Sequence, residues 1–321
     1  MSELRWHPML GQWVAVATHR QDRTYFPPTE SCPLCPTLPG GPQTEIPVPD
    51  FEIAVFENRF PSLVPDPPEP AIAGTMLVPV RPGYGACEVV VYTSDHKATL
   101  AELSLERMDQ LVRVWAERTL ELSLRNGIST VLVFENRGPE IGVTLTHPHG
   151  QIYAYPFLPP VLERELAMMH AFTEDAGRCM LCELMDGERA DGRRIVAEND
   201  GWLAYIPPFA RYPYEVHLTA RRHCGNLLGL DPGEHFALGS IVQATVRAYD
   251  RLFSRPFPYI MAVHQRPAEG RPDAFHLHVE FYPPLRTATK LKYLAGSEAG
   301  AGMFINDTLA EEKAAELRAV W

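Results

Sequence analysis

The chain has 321 residues, 45% of them hydrophobic and 21% charged, the composition of a soluble globular protein with room for two ordinary domains. Its formal charge of −11, from 29 basic and 40 acidic residues, argues against a nucleic-acid binder, since neutralising phosphates takes a basic surface. The opening Met1-Ser2-Glu3-Leu4-Arg5-Trp6 has no basic region followed by an apolar one, and no window nears the roughly 18 apolar residues of a membrane span, so a cytoplasmic protein without membrane contact is expected.

Six cysteines, four of them in two Cys-x-x-Cys pairs, read as metal ligands or thiols in such a reducing compartment, which disfavours disulfides. The first pair, Cys32-Pro33-Leu34-Cys35, opens a proline-rich stretch over residues 32–70, whose interleaved apolar and aromatic residues imply extended loops wrapped on a core. A strand over residues 88–92 comes next, followed by Asp95-His96. Ser104 then caps a helix with Met108, Leu111, Val112 and Trp115 in one apolar stripe, expected to end near Asn126-Gly127. A strand over residues 130–134, rich in β-branched and aromatic side chains, leads to Thr146-His147-Pro148-His149-Gly150-Gln151. If that run is extended, residues 147, 149 and 151 project from one face, and two imidazoles and a carboxamide line one patch suited to phosphorus chemistry. The plainer readings of two such histidines are a hydrogen-bonded structural residue or a bare metal pair.

The chain then repeats itself. Cys179-Met180-Leu181-Cys182 answers the first cysteine pair, Glu215-Val216-His217-Leu218-Thr219 and His223 answer Glu88-Val89-Val90-Val91-Tyr92 and His96, and His276-Leu277-His278 answers His147-Pro148-His149. Between these landmarks Asp231-Pro232-Gly233-Glu234 supplies an N-cap, a first-turn proline and a third-position carboxylate for a helix carrying Leu238, Ile241, Val242 and Tyr249. A strand over residues 259–263 matches the one over 130–134. Each half thus reads as antiparallel strands on one long helix. The fold class is α+β, a tandem duplication with units over residues 1–165 and 166–321 and a boundary within 160–178.

Cys-x-x-Cys brings two thiolates to one ion, and two further soft or borderline ligands complete a tetrahedral zinc site. The candidates are Cys32, Cys35, His96 and His147 in the first unit, and Cys179, Cys182, His223 and His276 in the second. A histidine at the matched position of both copies favours closed structural sites over redox pairs. Neither set leaves a position for substrate, so both read as folding staples, with one or two zinc ions per chain. Glu165, His264, His276 and His278 could form a rival nitrogen and oxygen site, and His276 cannot readily serve both. The cysteine set is preferred for its thiolates and for its mirror in the first unit.

With these features in hand, the chain resembles the galactose-1-phosphate uridylyltransferase family of the histidine-triad superfamily. The likeness runs from Pro8-Met9-Leu10-Gly11-Gln12-Trp13 to the C-terminal helix, through Phe134-Glu135-Asn136-Arg137-Gly138, Gly142, the His-Pro-His-Gly-Gln run and Phe281-Tyr282-Pro283-Pro284-Leu285. The resemblance implies histidine-triad-like units, His149 as nucleophile and His147 as a zinc ligand, the last in agreement with the spacing argument. Gln151 stands where the superfamily's hydrolases carry a histidine. Glutamine can donate to a phosphoryl oxygen but is no general acid, which suits a sugar 1-phosphate that leaves without protonation. The second unit has His278-Val279-Glu280 instead and is expected to be inert.

The resemblance carries further residues. Arg20 and Arg23 match arginines that face phosphate, against the plainer reading of a solvated basic turn. Asn58 matches a residue at the uridine site, while Arg59 stands where the family usually has aspartate. Asn136 and Thr144, with Gln151, correspond to groups that hydrogen-bond the phosphates and His149, though Asn136 could instead cap the turn at Arg137-Gly138. Lys292 and Glu298 match residues that reach the hexose from the partner subunit of a dimer. The following Gly300-Ala301-Gly302-Met303-Phe304 departs from the better-known members, where a glutamine lies near Phe304.

The reading that follows is a nucleotidyltransferase that exchanges UMP between UDP-glucose and galactose 1-phosphate. It would be a UDP-glucose:hexose-1-phosphate uridylyltransferase, a cytoplasmic homodimer working by a ping-pong route through uridylyl-His149. The same fold and nucleophile would also serve an adenylyltransferase or phosphorylase acting on ADP-glucose or a dinucleoside polyphosphate. A nucleotide-binding module without chemistry fits less well, because packing alone offers no evident reason for Gly150 before Gln151.

Overall fold

A computed structural model describes residues 2–22, 27–28, 31–268 and 274–321. The first unit contributes strands Ser2–His7 (β1), Gln12–Ala17 (β2), Ala54–Glu57 (β3), Val80–Pro82 (β4) and Ala86–Val91 (β5), helix Leu105–Ser123 (α1), then strands Thr130–Arg137 (β6) and His149–Tyr155 (β7). Helices Pro160–Ala176 (α2) and Met180–Asp191 (α3) follow, where the sequence points only to a boundary and a cysteine pair. The second unit continues with Ile195–Glu198 (β8), Trp202–Tyr205 (β9), Val216–Ala220 (β10), Pro232–Leu252 (α4), Tyr259–His264 (β11), His278–Tyr282 (β12) and Ala310–Arg318 (α5).

Strands β2, β1 and β4 form a small sheet of their own. The other nine form one antiparallel sheet in the order β3-β5-β7-β6-β11-β12-β10-β9-β8. Under the sequence repeat, β3, β5, β7 and β6 correspond to β9, β10, β12 and β11, so the strand order runs inward through one unit and outward through the other. The units meet edge to edge at β6 and β11, in a register that pairs Phe134 with Ala262 and Val133 with Val263. That junction explains why β6 outruns the expected strand. Residues 130–134 pair with β7, and the extension to Arg137 pairs with β11 of the other unit.

Both long helices start as their caps dictate. The Ser104 hydroxyl accepts from the Arg107 N–H at 3.1 Å, and Asp231 and Glu234 form a reciprocal capping box. Helix α1 ends at Ser123, short of Asn126-Gly127, with Leu124 as its C-cap. The helices pack side by side on one face of the sheet, close enough that a Cβ at Gly239 would lie 2.9 Å from the Met108 carbonyl carbon. Only glycine allows that approach.

Strand alternation sorts the remaining side chains. Val90, Val131, Val133 and Ile152 join Met108, Leu111, Trp115, Leu238 and Tyr249 in one core shared by the two units. Val89, Asn136, His149 and Gln151 point to the opposite face, away from α1 and α4. Trp115 is 1% exposed at the centre of the shared core. Trp115→Ala is expected to lower the unfolding free energy in urea by about 3–5 kcal/mol, the usual cost of emptying an aromatic site. A loss under about 1 kcal/mol would show that the helix pair contributes little to stability.

Candidate active site and metal centres

Strand β7 starts at His149, so regular extended structure begins only after Pro148. His147 consequently leaves the face predicted for it. It is buried and turned towards Cys35, while His149 and Gln151 open into a cleft. Leu34, Phe56, Phe60, Val143 and Leu145 wall that cleft, with Asn58, Asn136 and Thr144 among them. Apolar walls with a few convergent polar groups suit a nucleobase and ribose above a phosphate.

The polar groups at the floor are oriented by their neighbours. Nδ1 of His149 lies 2.7 Å from the His147 backbone oxygen. A carbonyl can only accept, so Nδ1 carries the proton and Nε2 is the basic atom of the ring. Oε1 of Gln151 accepts from the Tyr153 hydroxyl at 3.1 Å and from Nδ2 of Asn58 at 3.4 Å, which commits the amide's NH2 edge to donation. Asn58 is itself fixed, its Oδ1 accepting from the Phe60 N–H at 2.9 Å. Asn136 sits within β6 opposite Ile260, and the turn that begins at Gly138 has no side-chain cap, so the capping alternative fails.

Gly150 faces the other way, towards the helices. A Cβ there would overlap the Tyr92 hydroxyl and stand 3.1 Å from the Phe134 carbonyl oxygen. Packing does demand glycine at this position, contrary to the sequence expectation.

The first cysteine pair gathers its predicted partners. Sγ of Cys35 lies 3.4 Å from Nδ1 of His96 and 3.6 Å from Nδ1 of His147, and with Cys32 all four donor atoms lie within 4.8 Å of one another. Sulfur and nitrogen ligands of one tetrahedral zinc ion stand about 3.5 Å apart, given bonds of roughly 2.3 and 2.0 Å. Nε2 of His147 donates to the Thr93 carbonyl at 2.8 Å, leaving Nδ1 as the ligand atom. Burial also holds the His147 imidazole down at about 4, and therefore neutral. Burial and the adjacent Cys32 push the Cys35 thiol up to about 12, a penalty that a bound cation reverses by favouring the thiolate.

The second pair repeats this atom by atom. Sγ of Cys179 and Sγ of Cys182 lie 3.3 and 3.6 Å from Nδ1 of His276, whose Nε2 donates to the Ala220 carbonyl at 2.7 Å, and His223 completes the set. Both donor sets fit a tetrahedral ion and leave no fifth position, which suits a structural role.

The rival set has a different membership from the one expected. His276 faces the cysteines, and Glu280 joins Glu165, His264 and His278 in its stead, so the two clusters do not compete. Nδ1 of His264 meets Oε2 of Glu165 at 2.8 Å. Oε1 of Glu280 lies 3.4 Å from Nε2 of His217 and 3.5 Å from Nε2 of His278, while its Oε2 receives Arg211 at 2.9 Å and the Tyr282 hydroxyl. Buried carboxylates are thus met by a guanidinium and imidazoles. His278 is the counterpart of His149, down to an Nδ1 lying 2.8 Å from the His276 backbone oxygen, yet it is only 3% exposed.

The other predicted residues divide. Nη1 of Arg20 donates to the Phe60 carbonyl at 2.8 Å, which anchors it to the cleft wall and not in a solvated turn. Arg23 lies outside the described residues. Nζ of Lys292 meets Oε1 of Glu298 at 3.0 Å and also donates to the Ile305 carbonyl, and that lysine holds the Glu298 carboxyl down at about 2. This pair shapes the segment that carries it, away from the cleft of its own chain. Of the charged groups in the cleft, the sequence does not point to Glu45, which forms an ion pair with Arg59 at 3.1 Å. Glu45 carries no local signal, since a long proline-rich loop delivers it.

The family model for the N-terminal domain of galactose-1-phosphate uridyl transferase matches residues 1–159, and that for the C-terminal domain matches residues 165–321. The chain belongs to the galactose-1-phosphate uridylyltransferase family. A galactose-1-phosphate uridylyltransferase of Thermotoga maritima is 40% identical over 320 residues, covering 99% of this chain and 98% of its own. A solved structure described as a uridylyltransferase is similar with a TM-score of 0.88 at 34% identity, over 99% of this chain and 98% of that one. An ADP-glucose phosphorylase from Arabidopsis thaliana, with bound ADP-glucose, shares the fold at a TM-score of 0.75 and 22% identity, over 100% and 99% of the two chains. The uridylyltransferase family's N-terminal model therefore holds the cleft with His149, and its C-terminal model holds the buried network around Glu280.

Proposed function

We propose that the chain moves UMP between UDP-glucose and galactose 1-phosphate by double displacement at His149. The observation that carries this reading is the imidazole at the cleft floor, with Nδ1 hydrogen-bonded to the His147 carbonyl and Nε2 as its basic atom. Nε2 attacks the α-phosphorus, the bond to glucose 1-phosphate breaks with its electron pair on the departing phosphate, and UMP stays on the ring. The ring gains positive charge in that step, and the Nδ1–H bond to a carbonyl strengthens as it does. Galactose 1-phosphate then attacks the same phosphorus, and the nitrogen recovers its lone pair.

Gln151 donates its NH2 edge to the phosphoryl oxygens, and Arg20, Arg23, Asn136 and Thr144 serve the phosphates beside it. Asn58 reads the nucleoside between Phe56 and Phe60. Both cysteine sets hold zinc, which supplies folding free energy when bound. Pro33 and Leu34, enclosed between the first two thiolates, also line the cleft, so the first metal centre shapes the nucleotide site.

Isotope exchange between labelled sugar 1-phosphates and a panel of nucleotide sugars tests the substrate. UDP-glucose is expected to outpace ADP-glucose, and the reverse result would make the chain an adenylyltransferase. Arg59 paired with Glu45 on the cleft wall is the feature that makes the comparison informative.

We place the division between units at residues 165 and 166, and the working enzyme in the cytoplasm as a homodimer. No helix among the described residues is long and apolar enough to cross a membrane. The segment stapled by Lys292 and Glu298 exposes Tyr293, Leu294 and Met303, apolar groups suited to a partner subunit. A His149→Ala chain mixed with a Lys292→Ala chain should then regain activity that neither has alone. Subunit exchange without any such gain would mean that each chain holds a complete site.

A further inference from the structure

Directly behind the nucleophile strand lies a polar cluster that the chemistry above does not use. The Tyr92 hydroxyl donates to Oε2 of Glu135 at 2.9 Å, and the Tyr259 hydroxyl donates to Oε1 of the same carboxylate at 2.9 Å. All three residues are buried, at 1%, 5% and 0% exposure for Tyr92, Glu135 and Tyr259. Arg137 is the nearest cation, its guanidinium 5.7 Å from the Tyr259 ring centre, but its own hydrogen bonds go to Asp250 at 2.8 and 3.0 Å. The cluster draws on three elements: Tyr92 follows β5, Glu135 lies in β6, and Tyr259 opens β11 of the other unit.

Phenylalanines and an apolar residue would fill the same volume without taking a carboxylate out of water, so stability alone does not call for this arrangement. Burial raises the Glu135 carboxyl to about 7 despite the two phenols and Arg137, which marks the site as costly. A satisfied polar network does fix geometry, because each member has one acceptable place.

The geometry it fixes concerns Gly150. In β7 the pairings Val91 with His149, Val90 with Gly150 and Val89 with Gln151 put residue 150 on the helix face and its neighbours on the cleft face. The Tyr92 hydroxyl occupies the space that a Cβ at residue 150 would fill. We propose that Tyr92, held by Glu135 and Tyr259, is a positioning residue that backs the nucleophile strand at Gly150 and sets how far His149 and Gln151 stand into the cleft. This rests on the reading of His149 as the nucleophile.

The test is a double-mutant cycle read by the rate of UMP-adduct formation from UDP-glucose and, independently of turnover, by UMP binding in calorimetry. Gly150→Ala is expected to slow adduct formation by about 100-fold, the cost of misplacing a reacting group by about 1 Å, while UMP affinity falls by less than about 10-fold. Tyr92→Phe alone should slow it by up to about 10-fold, and Tyr92→Phe/Gly150→Ala should recover at least about 10-fold over Gly150→Ala, since the hydroxyl that clashes with the new methyl is gone. A double variant no faster than Gly150→Ala, with a melting temperature near that of the wild type, would overturn the proposal.

If Gly150→Ala does not fold, Tyr92→Phe and Glu135→Gln decide the matter. Each should slow adduct formation while leaving UMP affinity unchanged, and unchanged rates in both would overturn it. A wild-type chain that forms no adduct would instead refute the nucleotidyl-transfer reading. The coupling in UMP affinity between Tyr92 and Gly150 would still report on positioning, with its absence counting against the proposal.

Discussion

Incubated with UDP-glucose and no acceptor, the chain is expected to release glucose 1-phosphate and retain UMP on a peptide containing His147 and His149. The first half-reaction needs no second substrate, so the adduct accumulates. It should be acid-labile and base-stable, as phosphorus on an imidazole nitrogen is. His149→Ala removes the attacking Nε2 and should abolish both the adduct and exchange, a loss of about four to six orders of magnitude by analogy with other nucleophile deletions. Gln151→Ala should still form the adduct, slowed by about two to three orders, because one oriented donor to the developing phosphoryl charge is lost. His147→Ala should act through the metal centre, with lower metal content and a lower melting temperature. An adduct that survives in a folded His149→Ala chain, or exchange that occurs only with both sugar phosphates bound together, would exclude the double displacement.

Cys32→Ser/Cys35→Ser should lower the metal-to-protein ratio by one, and Cys179→Ser/Cys182→Ser should do the same. Each is expected to cost about 4 kcal/mol or more, because a closed thiolate site is part of the folding free energy. The first pair should also weaken nucleotide binding, since Pro33 and Leu34 line the cleft between those thiolates. The second should spare binding until the chain unfolds.

Acid should act on both sites. Burial holds the His147 and His276 imidazoles of the metal-free fold down at about 4 against 6.5 ordinarily, so the unfolded chain binds more protons as pH falls from 6.5 towards 4. Stability present at neutral pH should drain away across that window, together with the metal. Elemental analysis alongside guanidinium unfolding measures both effects. A Cys179→Ser/Cys182→Ser chain that keeps its full metal content and stability would discard the second cysteine site and move attention to Glu165, His264, His278 and Glu280.

Features encoded in short stretches of the chain, or encoded twice, are legible from the residues alone. The Ser104 cap and the Asp231-Glu234 capping box depend on neighbours within one turn, and both form as their residue types dictate. The metal donors recur in both units, and repetition separates them from chance cysteine pairs; all eight side chains converge as expected. Tertiary contacts decide the rest. Strand β6 runs on to Arg137 because the other unit's β11 pairs with its end, and no local pattern encodes a partner so far along the chain. His147 leaves the face of its neighbours because Cys35 and the Thr93 carbonyl claim its two nitrogens, which outweighs alternation in a segment not yet paired as a strand. Glu280 and not His276 joins Glu165 for the same kind of reason, since a side chain with several acceptable partners goes where the fold brings them. Gly150 has no evident packing reason in the sequence until Tyr92 is found in the space behind it. A sequence states which groups a chain offers, whereas long-range packing settles which of them meet, because that depends on the burial and pairing of every strand at once.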